Sequence, residues 1–261
     1  MRAVRLHQHG PVHPPSVRPR GRDGGIELKV SVVVPTYHEE SRIESFLRQF
    51  ERQTLPRSEF EIIVVDGGST DRTREIAARH ADQVVLQTSH GIGGARNDGV
   101  AVAHAEIIAT TDSDCLVPDD WLARIVQHFE DPRVVAVCGP DGPLERSLKA
   151  RGIFLVVRAV IRLAALLGLF ATGGTNSAFR KKAFLAVGGY RSLPHSDDID
   201  LGARIRSQGR IVYDPALYVR LSVRRLEKQG YMRTLLLWLR GDLKVLTGQP
   251  IEAADYARQK Y

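Results

Sequence analysis

The chain has 261 residues, 43% hydrophobic and 26% charged, with a formal net charge of +7 and a pI near 9.6. Such a chain can bury one sizeable core, which excludes a disordered or fibrous protein. Its charge predicts an anionic partner without choosing among nucleic acid, anionic lipid and a phosphorylated substrate.

Residues 1–29 are rich in Pro, Arg, His and Gly, show neither helical nor strand periodicity, and read as a flexible basic tail, at most ending in a short strand near Ile26–Lys29. Arg2 and Arg5 are not followed by an apolar run, so no secretory signal is expected. No uninterrupted apolar stretch reaches the roughly 20 residues of a membrane span, and a cytoplasmic catalytic region is expected. Cys115 and Cys138 are too few for a disulfide framework and lack metal-site spacing, so they read as reduced thiols.

From Val30 the pattern alternates. Val30–Val34 is a β-branched run of the kind buried on both faces of a sheet. It ends in Pro35-Thr36-Tyr37-His38, and a helix follows with Ile43, Phe46, Leu47 and Phe50 at helical spacing. The cycle then repeats: strand Glu61–Val65 with a helix over about 70–80, strand Gln83–Leu86 with a Gly-rich turn and a helix over 95–104, then strand Glu106–Thr110. Later strands are expected at Val134–Cys138, Ser177–Phe179 and Ile211–Tyr213, and helices at Lys181–Val187 and Asp198–Ser207. Alternation with short connections predicts an α/β fold with a doubly wound, mostly parallel sheet. Ligands of such sheets sit at the carboxyl ends of the strands, where the polar clusters of this sequence fall.

Asp112-Ser113-Asp114 follows a strand. Two carboxylates one residue apart can face a divalent cation on a diphosphate, whereas a lone Asp-x-Asp is more often a capped turn. In Asp66-Gly67-Gly68-Ser69-Thr70-Asp71 the glycines allow positive φ and Ser69 or Thr70 is expected to cap the next helix. Asp66 either accepts a hydrogen bond from a nucleotide base or belongs to an ordinary turn. Gly91-Ile92-Gly93-Gly94-Ala95-Arg96-Asn97 opens a helix but fits neither the dinucleotide fingerprint nor the Walker A pattern. Asp197, Asp198 and Asp200 are three acids in four positions, more than capping needs, and one of them is a candidate general base. Arg224 and Arg225 are either a solvated cluster or a grip on a leaving diphosphate.

In order, SVVVPTYHEE (31–40), IIVVDGGSTDRT (62–73), GGARNDGV (93–100), TTDSDCLVPDDWL (110–122), GTNSAFRKKAFLAVGGYR (174–191) and DDIDLGARIRSQG (197–209) resemble the family-2 glycosyltransferases of GT-A fold, over roughly residues 30–215. The resemblance implies inverting transfer of a sugar from a UDP- or GDP-linked donor with Mg2+ or Mn2+. It implies that Thr36, Tyr37 and Glu39 border the nucleoside, that Asp66 reads the base and that Arg96 lies near it. It further implies that Asp112 meets the ribose and metal, with Ser113 beside it, that Asp114 meets the metal and diphosphate, and that Asp198 is the catalytic base. Two departures stand out. The usual Glu-Asp pair is Asp197-Asp198, and no His follows His195, which shifts leaving-group stabilisation toward Arg224 and Arg225.

A nucleotidyltransferase is the rival enzyme class, but it calls for a glycine-rich loop where Pro35-Thr36-Tyr37-His38-Glu39 stands. A catalytically inactive nucleotide-sugar-binding module is a third reading, opposed by the intact acids. Nucleic acid would explain the charge but none of the carboxylates. The domain is expected to span 30–219, followed by a basic amphipathic extension over 220–261. From Arg220 to Lys244 that extension has seven basic residues against Glu227 and Asp242. Residues 152–171 and Tyr231–Leu246 are apolar and basic, and either pack on the sheet or attach peripherally to anionic lipid. The second alternative implies a lipid-linked acceptor and a place at the inner face of the cell membrane.

Overall fold

A computed structural model describes residues 28–166, 174–193, 195–247 and 249. The expected tail through residue 27, residues 167–171 of the apolar segment and the end of the basic extension lie outside the described residues.

The chain opens with β1 (Val30–Thr36), α1 (Ile43–Arg48), β2 (Phe60–Asp66), α2 (Thr73–Ala77), β3 (Gln83–Leu86), α3 (Gly91–Val102) and β4 (Ile107–Thr110). There follow β5 (Cys115–Leu116), α4 (Trp121–His128), β6 (Val134–Cys138), β7 (Asp141–Pro143), α5 (Leu148–Leu166), β8 (Ser177–Arg180), α6 (Lys181–Ala186) and α7 (Asp197–Ile205). The described elements end with β9 (Arg210–Tyr213), β10 (Val219–Leu221), α8 (Arg224–Gln229) and α9 (Tyr231–Leu246).

Seven strands form one sheet in the order β3-β2-β1-β4-β8-β6-β9. All neighbours are parallel except β8, which runs against both β4 and β6. The valine run of β1 explains itself in this setting. Val30, Val32 and Val34 enter the cluster shared with α1, α2 and α4, while Val33 enters the cluster shared with α3, α6 and α7. A strand covered on both faces needs apolar side chains in both phases. The exception is buried Ser31, whose hydroxyl donates to Glu61 Oε1 at 2.6 Å and accepts the Ala105 amide at 3.0 Å. Strand order reverses between β1 and β4, which opens the crevice where such sheets bind ligands.

Three local expectations are corrected. The helix after β3 begins at Gly91, so the glycines lie in its first turn rather than in a preceding loop. A Cβ on Gly94 would come within 2.8 Å of Ser89, and one on Gly93 within 3.0 Å of Tyr190, so close packing demands glycine there. The helix after β2 spans only Thr73–Ala77, and Asp71, not Ser69 or Thr70, binds its first amide, at 3.0 Å from Thr73 N. Ser69 instead accepts the amide of His38 at 2.9 Å and ties the β2 turn to the end of β1.

A second sheet, β5-β10-β7, was not anticipated. Strands of two and three residues carry no readable periodicity. β10 crosses position 219, the expected border of the domain, and pairs with β5 and β7 beside the Asp112–Asp114 segment.

Candidate active site

β1 and β2 end in register, with Thr36 opposite Asp66, and the Gly67 amide donates to the Thr36 carbonyl at 2.9 Å. Asp66 is wholly buried. Its Oδ2 accepts the amides of Gly68 at 3.0 Å and Ser69 at 2.8 Å, whereas Oδ1 has no hydrogen-bond partner among the described residues. A buried carboxylate oxygen without a donor is costly, and a ligand N–H would satisfy it. Thr36 Oγ1 is likewise buried and unsatisfied. Tyr37 is exposed beside Gly67, and its ring lies 4.1 Å from that of His38, which holds φ at 53°.

Arg96 occupies the centre. Buried in α3, it donates to Asp112 Oδ1 at 3.0 Å, faces Asp197 Oδ2 at 3.8 Å and lies 5.5 Å from the Tyr190 ring centroid. One guanidinium thus joins the acids after β4 to those opening α7. Gly174 must be glycine because a Cβ there would meet the Arg96 guanidinium at 2.7 Å. Asn97, the next residue of α3, donates to the Tyr190 carbonyl at 2.8 Å and accepts the Tyr190 amide at 2.9 Å.

Asp197 is buried and Asp198 half-buried. Asp198 Oδ2 accepts the Gly174 amide at 3.1 Å and Oδ1 that of Ile199 at 2.9 Å. Burial holds both carboxyls above the ordinary carboxylate range, an effect that Arg96 partly offsets. Asp200 is different in kind: salt bridges to Arg191 and Arg204 make it structural.

Asp112 and Asp114 flank buried Ser113, and each keeps about a quarter of its side chain exposed. Arg224, at the start of α8, pairs with Glu39 and stands 3.9 Å from Asp114. Glu39 also pairs with Arg42 at 3.6 Å. Arg225 follows in α8, and its side chain lies outside the described residues. No group of three or more His, Cys, Asp and Glu is gathered for a metal among the described residues. Two partly exposed carboxylates do fit a hard cation that arrives on a diphosphate and completes its shell with phosphate oxygens and water.

The sequence did not single out Asp141, Thr175 or Tyr190. Asp141, at the start of β7, accepts the Thr175 hydroxyl at 3.1 Å, and burial pushes its pKa up to about 7, helped by the charges of Asp112 and Asp198. An aspartate after Gly139-Pro140 looks like a turn residue in one dimension, which hides it.

A mostly parallel sheet with these acids at its carboxyl edge is a nucleotide-binding type of α/β architecture. Residues 31–188, more than half of the chain, match the family described as Glycosyl transferase family 2. The glycosyltransferase AglE of Haloferax volcanii is 34% identical over 116 residues, which are 42% of this chain and 38% of AglE. The poly(ribitol-phosphate) beta-N-acetylglucosaminyltransferase TarS of Staphylococcus aureus is 33% identical over 125 residues, 44% of this chain and 22% of TarS. The chain therefore spans well under half the length of these relatives. The mannosyltransferase PcManGT of Pyrobaculum calidifontis, solved with GDP-Man and Mn2+, superposes with a TM-score of 0.68 at 26% identity, covering 87% of this chain and 66% of that one. Glucosyl-3-phosphoglycerate synthase of Mycobacterium tuberculosis shares the fold, with a TM-score of 0.62 at 20% identity over 90% of this chain and 87% of that one. The chain belongs to glycosyl transferase family 2.

Proposed function

We propose that the protein transfers a sugar from a UDP- or GDP-linked donor to an acceptor hydroxyl or phosphate, with inversion at the anomeric carbon. The observation that carries this reading is the Arg96 bridge, which brings Asp112 and the Asp197-Asp198 pair to one buried guanidinium. PcManGT, solved with a GDP-sugar and Mn2+, supports the donor class and the use of a divalent cation.

Asp66, through its open oxygen, accepts an N–H of the base, while Tyr37 and Thr36 line the nucleoside. Asp112 approaches the ribose, with Ser113 beside it. Asp112 and Asp114 would hold Mg2+ or Mn2+, which when bound neutralises charge on the diphosphate. Arg224, with Arg225 beside it, leaves its acidic partners for the leaving diphosphate, where an arginine fork suits phosphate geometry. Asp198 takes the acceptor proton as the new C–O bond forms, and the bond to the diphosphate breaks with its electron pair on the phosphate oxygen. A base held above the ordinary carboxylate range accepts that proton more readily.

A thermal-shift screen of UDP- and GDP-sugars with Mn2+ tests the reading, since a selective ligand raises the melting temperature. Asp66→Ala should abolish the shift. Asp198→Asn should keep the shift yet lower release of the nucleoside diphosphate by about a hundredfold or more. A screen without any stabilising donor, or near-normal turnover in Asp198→Asn, would sink it.

A further inference from the structure

α9 crosses the start of α7 with no side chain between them at Gly241. A Cβ there would overlap the His195 ring and lie 2.8 Å from Ser196 Oγ, so only hydrogen fits. The next residue, Asp242, is half-buried, and the Ser196 side chain beside it partly offsets the burial that raises its carboxyl. Ser196 holds φ at 58°, and apart from His38 no other non-glycine among the described residues has positive φ. A serine in the left-handed region persists only where its surroundings over-determine it. Here those surroundings are the His195 ring, 3.0 Å from Ser196 Oγ, and the two α9 residues. The Ser196 carbonyl accepts the Asp200 amide at 3.1 Å, so the same residue sets where α7 begins and how Asp197 and Asp198 are aimed.

We propose that Gly241 and Asp242 are positioning residues for Asp198: α9 clamps Ser196 in its left-handed conformation and so fixes the acid pair that opens α7. The proposal rests on the reading of Asp198 as the base. It makes α9 part of the catalytic unit rather than an appendage.

The charges that face Asp198 come from every side of this junction. Arg96 reaches it from α3, Asp197 from its own helix, Asp141 from β7 and Asp242 from α9, with the Tyr190 hydroxyl nearby. After burial, which raises the proton affinity of Asp198, Arg96 lowers it, Asp242 raises it, and the amides of Gly174 and Ile199 lower it. Removing the charge of Asp242 while keeping its shape therefore moves the deprotonation of Asp198 to lower pH.

The test uses the full chain and the donor found by the melting screen, with release of nucleoside diphosphate as the rate. Asp242→Ala should lower kcat by roughly tenfold with KM for the donor nearly unchanged, as expected for a misaimed base. Asp242→Asn still offers Ser196 an acceptor, so it should recover most of kcat and shift the acidic limb of the pH profile to lower pH. Ser196→Ala removes the hydroxyl that faces Asp242, and the double variant with Asp242→Ala should be no slower than the slower single variant. Wild-type kcat in Asp242→Ala, equal losses in Asp242→Ala and Asp242→Asn, or additive losses in the double variant would each overturn the clamp. Asp198→Asn in the same assay separates the two ideas. If it is inactive and the α9 variants are normal, only the clamp fails; if it turns over, the base assignment fails and takes the clamp with it.

Discussion

Asp141 shows how one side chain can be costly to its own fold. It is a carboxyl placed near Asp112 and Asp198, with the Thr175 hydroxyl at 3.1 Å, and burial drives its pKa from 3.8 up to about 7. A carboxyl whose pKa is raised by folding favours the native state while protonated, and that contribution is lost as pH rises through the folded value. Asp141→Asn does not titrate, so it should melt higher than the parent above pH 7, with the advantage shrinking as pH falls toward 4. Asp141 keeps part of its surface in water, so the gain should be on the order of 1 kcal/mol, about 3 °C at this chain length. A melting difference that stays flat with pH would show that Asp141 is not ionised under strain. The same burial argument applies to Cys115 and Cys138, whose thiols are pushed well up, Cys138 to about 12, as expected of inert core residues.

At the scale of the element, α3 decides most. It delivers Arg96 and Asn97 on one side and packs on β1 and β2 with the other. That approach requires Gly99, where a Cβ would overlap Val33 Cγ1 and come within 3.0 Å of Val65 Cγ2. In an open helix Gly→Ala gains about 1 kcal/mol from propensity. Here both valines are fully buried and stiff about χ1, so the added methyl overpacks the layer. Gly99→Ala should therefore lower stability by about 1–2 kcal/mol, read from the urea midpoint. A midpoint equal to the parent's would mean that α3 can slide on the sheet without cost. Gly93, Gly94 and Gly99 are spacers for close packing, with Arg96 as their payload, whereas Gly91 has open space at its Cβ position and holds φ at 75°.

At the scale of the molecule, α5 and the start of α9 meet in a small hydrophobic cluster separate from the two that cover the main sheet. Ala150 and Phe154 pack there on Val223 and Tyr231, and Lys149 stands 5.3 Å from the Tyr231 ring centroid. Both long helices leave large apolar side chains in the open: Leu148, Leu155 and Val156 on α5, Leu236 and Leu243 on α9, with exposed Arg151 and Arg240 among them. No helix among the described residues is long and apolar enough to cross a membrane. We propose that this surface rests on anionic lipid, each nearby basic residue contributing roughly 1 kcal/mol, and that it presents the site to a lipid-linked acceptor. The protein should float with anionic vesicles at low salt and be released at high salt. Failure to float would leave a soluble acceptor as the target.

Much of this architecture was legible in one dimension because its causes are local. A double-faced strand must be apolar in both phases, a β–α turn needs its glycines and short polar residues, and a half-buried helix repeats every 3.6 residues. Residues 30–213 therefore revealed the strands of the main sheet in their order along the chain, and placed Thr36, Asp66 and Asp112 at one edge. Local causes say nothing about partners distant in sequence. That β8 runs antiparallel between β4 and β6, that β5, β7 and β10 make a second sheet, and that α9 meets α7 at Gly241 were decided by pairing and packing across the whole chain. The charges follow the same division. The sequence shows which carboxylates exist, but only the tertiary structure puts one buried guanidinium between Asp112 and Asp197 and leaves one oxygen of Asp66 without a donor, because burial and charge pairing depend on neighbours that the backbone brings together only on folding.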